Sequence, residues 1–392
     1  MSKAPATPPP SPSPSSSEKL LQRAAPDRVQ FEDLVIVPIF AVIVALVLGA
    51  LTMLATNVSL PTIGLSYVAL LQGSVGSLNA LSETLTAAAP LVLAGLGIAL
   101  GFRAGMFNIG AEGQLLIGGM ASVIVGFSLS DLPMIIHLPL ALLAGAVAGG
   151  LYASIAGWLR AATGAHEVIS TIMLNLIAFR LVDYLLRLPI IQKTGRADPI
   201  SKSVLDSAEL PRLLEWLDPN LRVHAGIFLV LAAVFIVHWI LFKSTIGFEF
   251  RASGENPDAA RYAGMRSGLI IVLVMAFAGG LAGLAGANQV LGVLDRVTPG
   301  FSAGIGFNAI AVALLGRSHP VGVLLAGLLF GALEAGGRQM QVSAGVSIDL
   351  IAIIQALIIV FIAAPLLVRT VFPWGFRRPE TSSRSKSHDN DG

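Results

Sequence analysis

Apolar residues run along this chain in long blocks separated by short polar intervals, the pattern of a polypeptide that crosses a bilayer repeatedly as helices. Ten blocks read as spanning or near-spanning helices. They are Leu34–Leu54, Leu81–Phe102, Ala104–Phe127, Ile136–Leu159, His166–Leu188, Val223–Leu241, Gly268–Leu291, the shorter Gly304–Leu315, Pro320–Ala335 and Val346–Val368. Asn57–Gly76 holds Pro61, Gly64 and only a brief apolar run at Tyr67–Leu71, so it reads as an interfacial segment outside the membrane. Asp131–Pro133 reads as a tight turn. The fold class that follows is an all-α polytopic membrane protein with about ten transmembrane helices.

Polar intervals set the expected orientation. Residues 1–33 form an N-terminal tail, and its Pro/Ser-rich start, Met1–Ser17, is expected to be disordered and lacks the apolar core of a signal peptide. The membrane domain spans 34–368, and 369–392 form a tail that is basic near the membrane and polar beyond it. Pro189–Arg222 carries five basic and five acidic residues, a balance that fits the outer side. Arg103, Arg160, Lys243, Arg251, Arg261, Arg266, Arg317, Arg369, Arg377 and Arg378 then fall on one side, which the positive-inside rule makes cytoplasmic. Both termini and the polar stretch 243–267 are therefore expected in the cytoplasm.

Composition agrees and removes several kinds of chemistry. Hydrophobic residues make up 55% of the 392 and charged ones 12%, where a soluble domain carries roughly a quarter charged. Cysteine is absent, which excludes disulfides and thiol chemistry. No Gly-Lys pair occurs, so there is no phosphate loop, and no H-E-x-x-H occurs. The histidines, His137, His166, His224, His238, His319 and His388, show no metal-ligand spacing. An enzyme, a cofactor, a metal site and a nucleic-acid partner are accordingly not expected. A transporter without an ATP site must use an ion gradient or borrow an ATPase.

Ion coupling needs ionisable groups within the membrane, and these are few. Arg180, Asp183 and Arg187 lie three and four residues apart and are expected to pair locally. Glu167 reads as a helix-start residue near water, and Glu334 as the end of its span. Only Glu112 reads as deep. It lies in Gly101–Gln114 (GFRAGMFNIGAEGQ), where four glycines and the polar Asn108, Glu112 and Gln114 interrupt two apolar blocks. These residues fit either a helix broken inside the membrane beside a watery cavity or a plain cytoplasmic turn. Asn175, Gln289 and Asn308 complete a set of side chains able to hydrogen-bond a hydroxylated solute, or one another between helices. For a solute that carries an aromatic ring, Phe102, Phe107 and Phe307 are the candidates for stacking. The Phe-Asn dipeptides at Phe107 and Phe307 each follow a Gly-rich block, which suggests two related halves, Ala87–Leu188 and Met275–Leu367. Glycines four apart at Gly97/Gly101, Gly145/Gly149, Gly279/Gly283 and Gly327/Gly331 predict close helix packing.

A docking surface for a motor is the alternative to ion coupling, and Thr245–Gly268 fits one. Gly254–Pro257 reads as a turn in which Asn256 caps a short helix, Asp258–Ala263, with Pro257 at its first position. Ala260 and Ala263 keep one side small for a partner groove, while Arg261 and Tyr262 supply anchors. Gly101–Gln114, Gly164–Asn175 (GAHEVISTIMLN), Ser253–Gly264 (SGENPDAARYAG) and Ala311–Gly322 (AVALLGRSHPVG) together resemble the membrane permeases of bacterial ABC importers. The family is that of branched-chain amino acid and simple-sugar permeases, and the chain looks most like its nucleoside-type members. His166 stands where that family's motif has Asn. The resemblance implies a multi-pass subunit of the bacterial plasma membrane that carries nucleosides, or second a simple sugar such as ribose or galactose. It also implies cytoplasmic ABC ATPase subunits, an extracytoplasmic solute-binding protein or lipoprotein, and a second permease copy or paralogue. Asn256–Gly264 would be the coupling helix. Asn108, Glu112, Gln114, Asn175, Gln289 and Asn308 would line the path.

Overall fold

The computed structural model describes residues 37–363, which hold thirteen α-helices and no strand. The helices are α1 Val37–Ala55, α2 Leu60–Val75, α3 Leu78–Arg103, α4 Ala111–Ser128, α5 Met134–Thr163, α6 Glu167–Leu185 and α7 Gly226–Lys243. There follow α8 Thr245–Glu255, α9 Pro257–Tyr262, α10 Ser267–Gln289, α11 Ile305–Leu315, α12 Pro320–Ala344 and α13 Asp349–Ala363. Seven of them (α3 to α7, α10 with the turn that extends it, and α12) are long and apolar enough to cross a membrane by length and composition. Four shorter apolar helices accompany them, within α1, α2, α11 and α13. The two tails, the first residues of the Leu34–Leu54 span, the end of Val346–Val368 and Arg369, Arg377 and Arg378 lie outside the described residues.

Several expected boundaries move, each for a physical reason. Asn57–Gly76 holds a full helix rather than a brief apolar run: Ser59 caps α2, with Pro61 in its first turn. Gly73 and Leu70 of α2 pack against Gln339 and Gly336 of α12. That contact also explains why α12 runs on to Ala344 rather than stopping at Ala335, which leaves Glu334 inside a helix and not at its end. The third apolar block starts as a helix only at Ala111, because 104–110 form the break. Gly254 and Glu255 belong to α8, so the turn is narrower than expected, and α9 begins at Pro257. Arg180, Asp183 and Arg187 form no ion pair among the described residues.

Glycine packing builds the centre. α5 and α10 cross where Gly145 and Gly149 face Gly279 and Gly283: a Cβ on Gly149, Gly279 or Gly283 would strike the opposing backbone, and one on Gly145 would strike the Ser122 hydroxyl of α4. Gly118 of α4 joins the same crossing against Gly283. The interval Pro189–Arg222 is fastened to one end of this bundle by backbone hydrogen bonds. The N–H groups of Ser201, Val204 and Leu210 donate to the carbonyls of Val297, Asp295 and Leu291 at 3.0, 2.8 and 2.8 Å. Leu205 donates to Gly126 at 3.0 Å.

His224 is buried under this interval against Gly226 and Gly292. Burial first, then the charges of Arg222 and Arg212, push its imidazole from 6.5 down to about 4. The folded value lies below the unfolded one, so the unfolded chain takes up the proton first as pH falls. The stabilisation is complete above the ordinary histidine value near 6.5 and is lost as pH drops toward 4. Detergent-purified protein should therefore melt at lower temperature at pH 5 than at pH 7. His224→Gln should reduce that pH difference, and an undiminished difference would assign it to other groups.

Candidate solute path and coupling element

The break begins where α3 ends at Arg103, whose Nε donates to the Ser318 carbonyl at 3.0 Å. Gly105, at φ +69°, reverses the chain, a left-handed conformation that favours glycine. Met106–Gly110 then runs back into the bundle without helical structure before α4 starts. Five such residues reach at most ~17 Å. The expected break is thus a re-entrant strip beside α3, with α4 starting below the level at which α3 ends.

α11 is the second incomplete element. Its eleven residues cover about 16 Å, half the hydrocarbon thickness of a bilayer. Its last residues reach the turn at Arg317 and Ser318, which Arg103 holds, so its first residues lie deep. Both incomplete helices begin at one side chain. Glu112, in the first turn of α4, accepts hydrogen bonds from Ser302 Oγ at 2.5 Å, the Gly306 N–H at 2.7 Å and the Gly304 N–H at 3.3 Å. One buried carboxylate therefore faces the positive ends of two helix dipoles.

The strip itself is bound by amides. Asn108 and Gln114 pair reciprocally, Nδ2 to Oε1 at 3.0 Å and Nε2 to Oδ1 at 3.1 Å, and Asn108 Oδ1 also accepts the Gly110 N–H at 2.9 Å. Asn175 on α6 donates to the Ile109 carbonyl at 2.9 Å and accepts the Gly113 N–H at 2.8 Å. Glu167 accepts the Phe107 N–H at 3.3 Å and forms an ion pair with Arg160. Sequence reasoning had put Glu167 close to water; it is buried and braces the break. Its spacing to Arg160 spans a connector between two helices, so helical periodicity gave no signal for the pair.

Of the six path candidates, Asn108, Glu112, Gln114 and Asn175 are brought together, all buried and all engaged in these bonds. Asn308 stands two residues beyond Gly306 on α11 and is half-buried. Gln289 is the last residue of α10, where the helix widens into a π turn over Val290–Leu294. Among the aromatics, Phe107 and Phe307 remain 41% and 45% exposed, and Phe107 stacks on Phe102 at 4.9 Å between centroids.

The coupling candidates lie at the same end as the break. Asn256 caps α9 as expected, its Oδ1 accepting the Ala259 N–H at 3.0 Å, and Gly264 ends the turn at φ +84°. Ala260 was expected to face a partner groove, but it is buried against its own chain, and Met265 N–H bonds its carbonyl at 3.1 Å. The face left open carries Arg261, Tyr262 and Ala263, with Tyr262 94% exposed. A contact that sequence reasoning missed joins the two sites. Gly105 in the break touches Gly254 near the end of α8, so closely that a Cβ on Gly254 would lie 2.5 Å from the Arg103 carbonyl oxygen.

Comparison with known proteins agrees with this architecture. Residues 80–363 match the family described as branched-chain amino acid transport system, permease component. The guanosine ABC transporter permease protein NupP of Bacillus subtilis is 42% identical over 337 residues, covering 86% of this chain and 95% of its own. The glucose ABC transporter permease protein TsgB13 of Haloferax volcanii is 40% identical over 332 residues, covering 83% and 86%. The nucleoside ABC transporter permease protein NupB of Lactococcus lactis is 35% identical over 343 residues, covering 86% and 93%. No solved structure matches.

These bonds make Glu112 a brace before anything else. Glu112→Leu leaves a hydroxyl and two backbone N–H groups without their acceptor, at roughly 1–3 kcal/mol for each buried group. The variant should show a marked fall in melting temperature or yield, while Glu112→Gln, which keeps one acceptor oxygen, should lose less. A Leu variant with wild-type thermal stability would show that the carboxylate is not a brace.

Proposed function

The chain belongs to the branched-chain amino acid transport permease family, and from that membership we propose that it is the permease subunit of an ATP-binding-cassette importer carrying nucleosides. Two of the relatives above are named for guanosine or nucleosides, which supports the solute class. The exposed rings of Phe107 and Phe307 and the half-buried amide of Asn308 supply stacking and hydrogen bonding of the kind a nucleoside offers. Glucose, the solute in the name of the archaeal relative, supports simple sugars as the second reading. A stand-alone ion-coupled carrier has little support, since the deep carboxylate Glu112 is consumed by fixed donors.

The observation that carries the reading is the pairing of two features through one contact. A six-residue helix, too short to be stable by itself, presents Arg261 and Tyr262 outward, and its base touches the re-entrant strip through Gly254 and Gly105. A cytoplasmic ATPase bound to α9 is then mechanically joined to the region where solute passes. An extracytoplasmic binding protein docks at the opposite end, over the fastened interval 189–225, and a second permease covers the exposed side of α11. Both termini are cytoplasmic in this arrangement.

Two tests follow. Cells expressing the chain with its ATPase and binding protein should accumulate labelled guanosine, with unlabelled nucleosides competing and excess glucose not competing. Competition by glucose alone would favour the sugar reading. Replacing both anchors, Arg261→Ala with Tyr262→Ala, should reduce co-purification of the ATPase, since such anchors are worth roughly 2 kcal/mol each when buried in an interface. Full retention of the ATPase would place docking elsewhere.

A further inference from the structure

One face of α7 has no role in the account so far. Phe228, Leu231, Phe235, His238 and Phe242 follow one another at spacings of three and four, so they form a single stripe along the helix. Its first three members are exposed, Phe235 at 70%. At the α8 end the stripe runs under a basic cluster. The Phe242 ring lies 5.0 Å from His238 and 5.4 Å from His319, and the guanidinium carbons of Arg103 and Arg251 lie 5.9 and 5.5 Å from its centroid.

The arginines of the cluster are not taken up in ion pairs. No carboxylate forms an ion pair with Arg103 or Arg251 among the described residues. Arg103 donates to the carbonyls of Ser318 and Arg317, and Arg251 only to Gly247 at 3.4 Å. His238 Nδ1 is buried with no hydrogen-bond partner. The N-terminus of the 25-residue α12 begins beside His319, and no side chain caps it. Burial, then His238, then Arg103 hold the His319 imidazole below its usual value.

We propose that this cluster binds the phosphate of an anionic phospholipid whose acyl chain lies along Phe228, Leu231 and Phe235. Cationic side chains above an exposed apolar stripe match the two halves of such a lipid, whereas a soluble phosphate would use only the upper half. The stripe also separates this reading from an acidic protein surface, which has no chain to lay along it. The site ties the end of α3 to α8, and the bound lipid thereby acts on the base of the coupling element.

The test uses the intact permease–ATPase complex in detergent, titrated with dioleoyl phosphatidylglycerol or phosphatidylcholine and read by native mass spectrometry. The glycerol lipid should be retained where the choline lipid is lost. Arg251→Gln and Arg103→Gln should each weaken retention roughly five-fold, while Arg296→Gln in the opposite end's loop should leave it unchanged. Phe235→Ser should also weaken it. Equal retention by wild type and the Arg251 variant would overturn the proposal. So would displacement by millimolar inorganic phosphate with no effect of Phe235→Ser, which would mark a free-phosphate site. Binding to the isolated chain that disappears when the ATPase assembles would assign the cluster to the protein partner instead.

Discussion

A chain that interrupts its helices inside hydrocarbon must find a partner for every backbone group it frees. Here the partners are the side chains of Asn108, Asn175, Glu167 and Glu112. Asn108 and Asn175 take the N–H groups of Gly110 and Gly113, Asn175 also holds the Ile109 carbonyl, and Gln114 locks Asn108 in place. Glu112 does the same for the loop before α11, receiving Gly304 and Gly306. The rest of the centre depends on this satisfaction. Without it, Met106–Gly110 has no reason to lie beside α3, and α11 has no fixed starting point.

The same bonds change how the polar residues are read. Amides at a helix break look like ligands for a hydroxylated solute, and by residue type they are. In the folded chain the donors and acceptors of Asn108, Gln114 and Asn175 are already spent on backbone and on one another. The side chains beside them that stay partly open are a smaller and more aromatic set, Phe107, Phe307 and Asn308.

Much of this was legible in the residues, and the failures have identifiable causes. Apolar blocks placed most helices within a few residues, because burial in lipid needs little more than length and composition. The Asn256 cap was readable from its position before Pro257, since capping is local chemistry. α2 was missed because Pro61 and Gly64 imitate a loop, and the helix owes its length to packing on α12. Glu167 was misplaced because its partners, Arg160 and the Phe107 N–H, are distant in sequence or lie across a connector. Ala260 pointed the wrong way because a six-residue helix has no periodicity long enough to define its inner face.

The contact of Gly105 with Gly254 joins the break to the end of α8, next to the helix proposed to couple to an ATPase, and it was invisible in the sequence because two glycines far apart carry no pattern. It needs Gly254 to lack a side chain: a Cβ there would lie 2.5 Å from the Arg103 carbonyl oxygen and 2.8 Å from the Ala104 carbonyl carbon. The most direct measurement is solute-stimulated ATP hydrolysis by the reconstituted complex carrying Gly254→Ala. The account predicts normal assembly with the ATPase, basal hydrolysis retained, and stimulation by solute-loaded binding protein lost together with transport. Stimulation and transport at wild-type levels in that variant would contradict it.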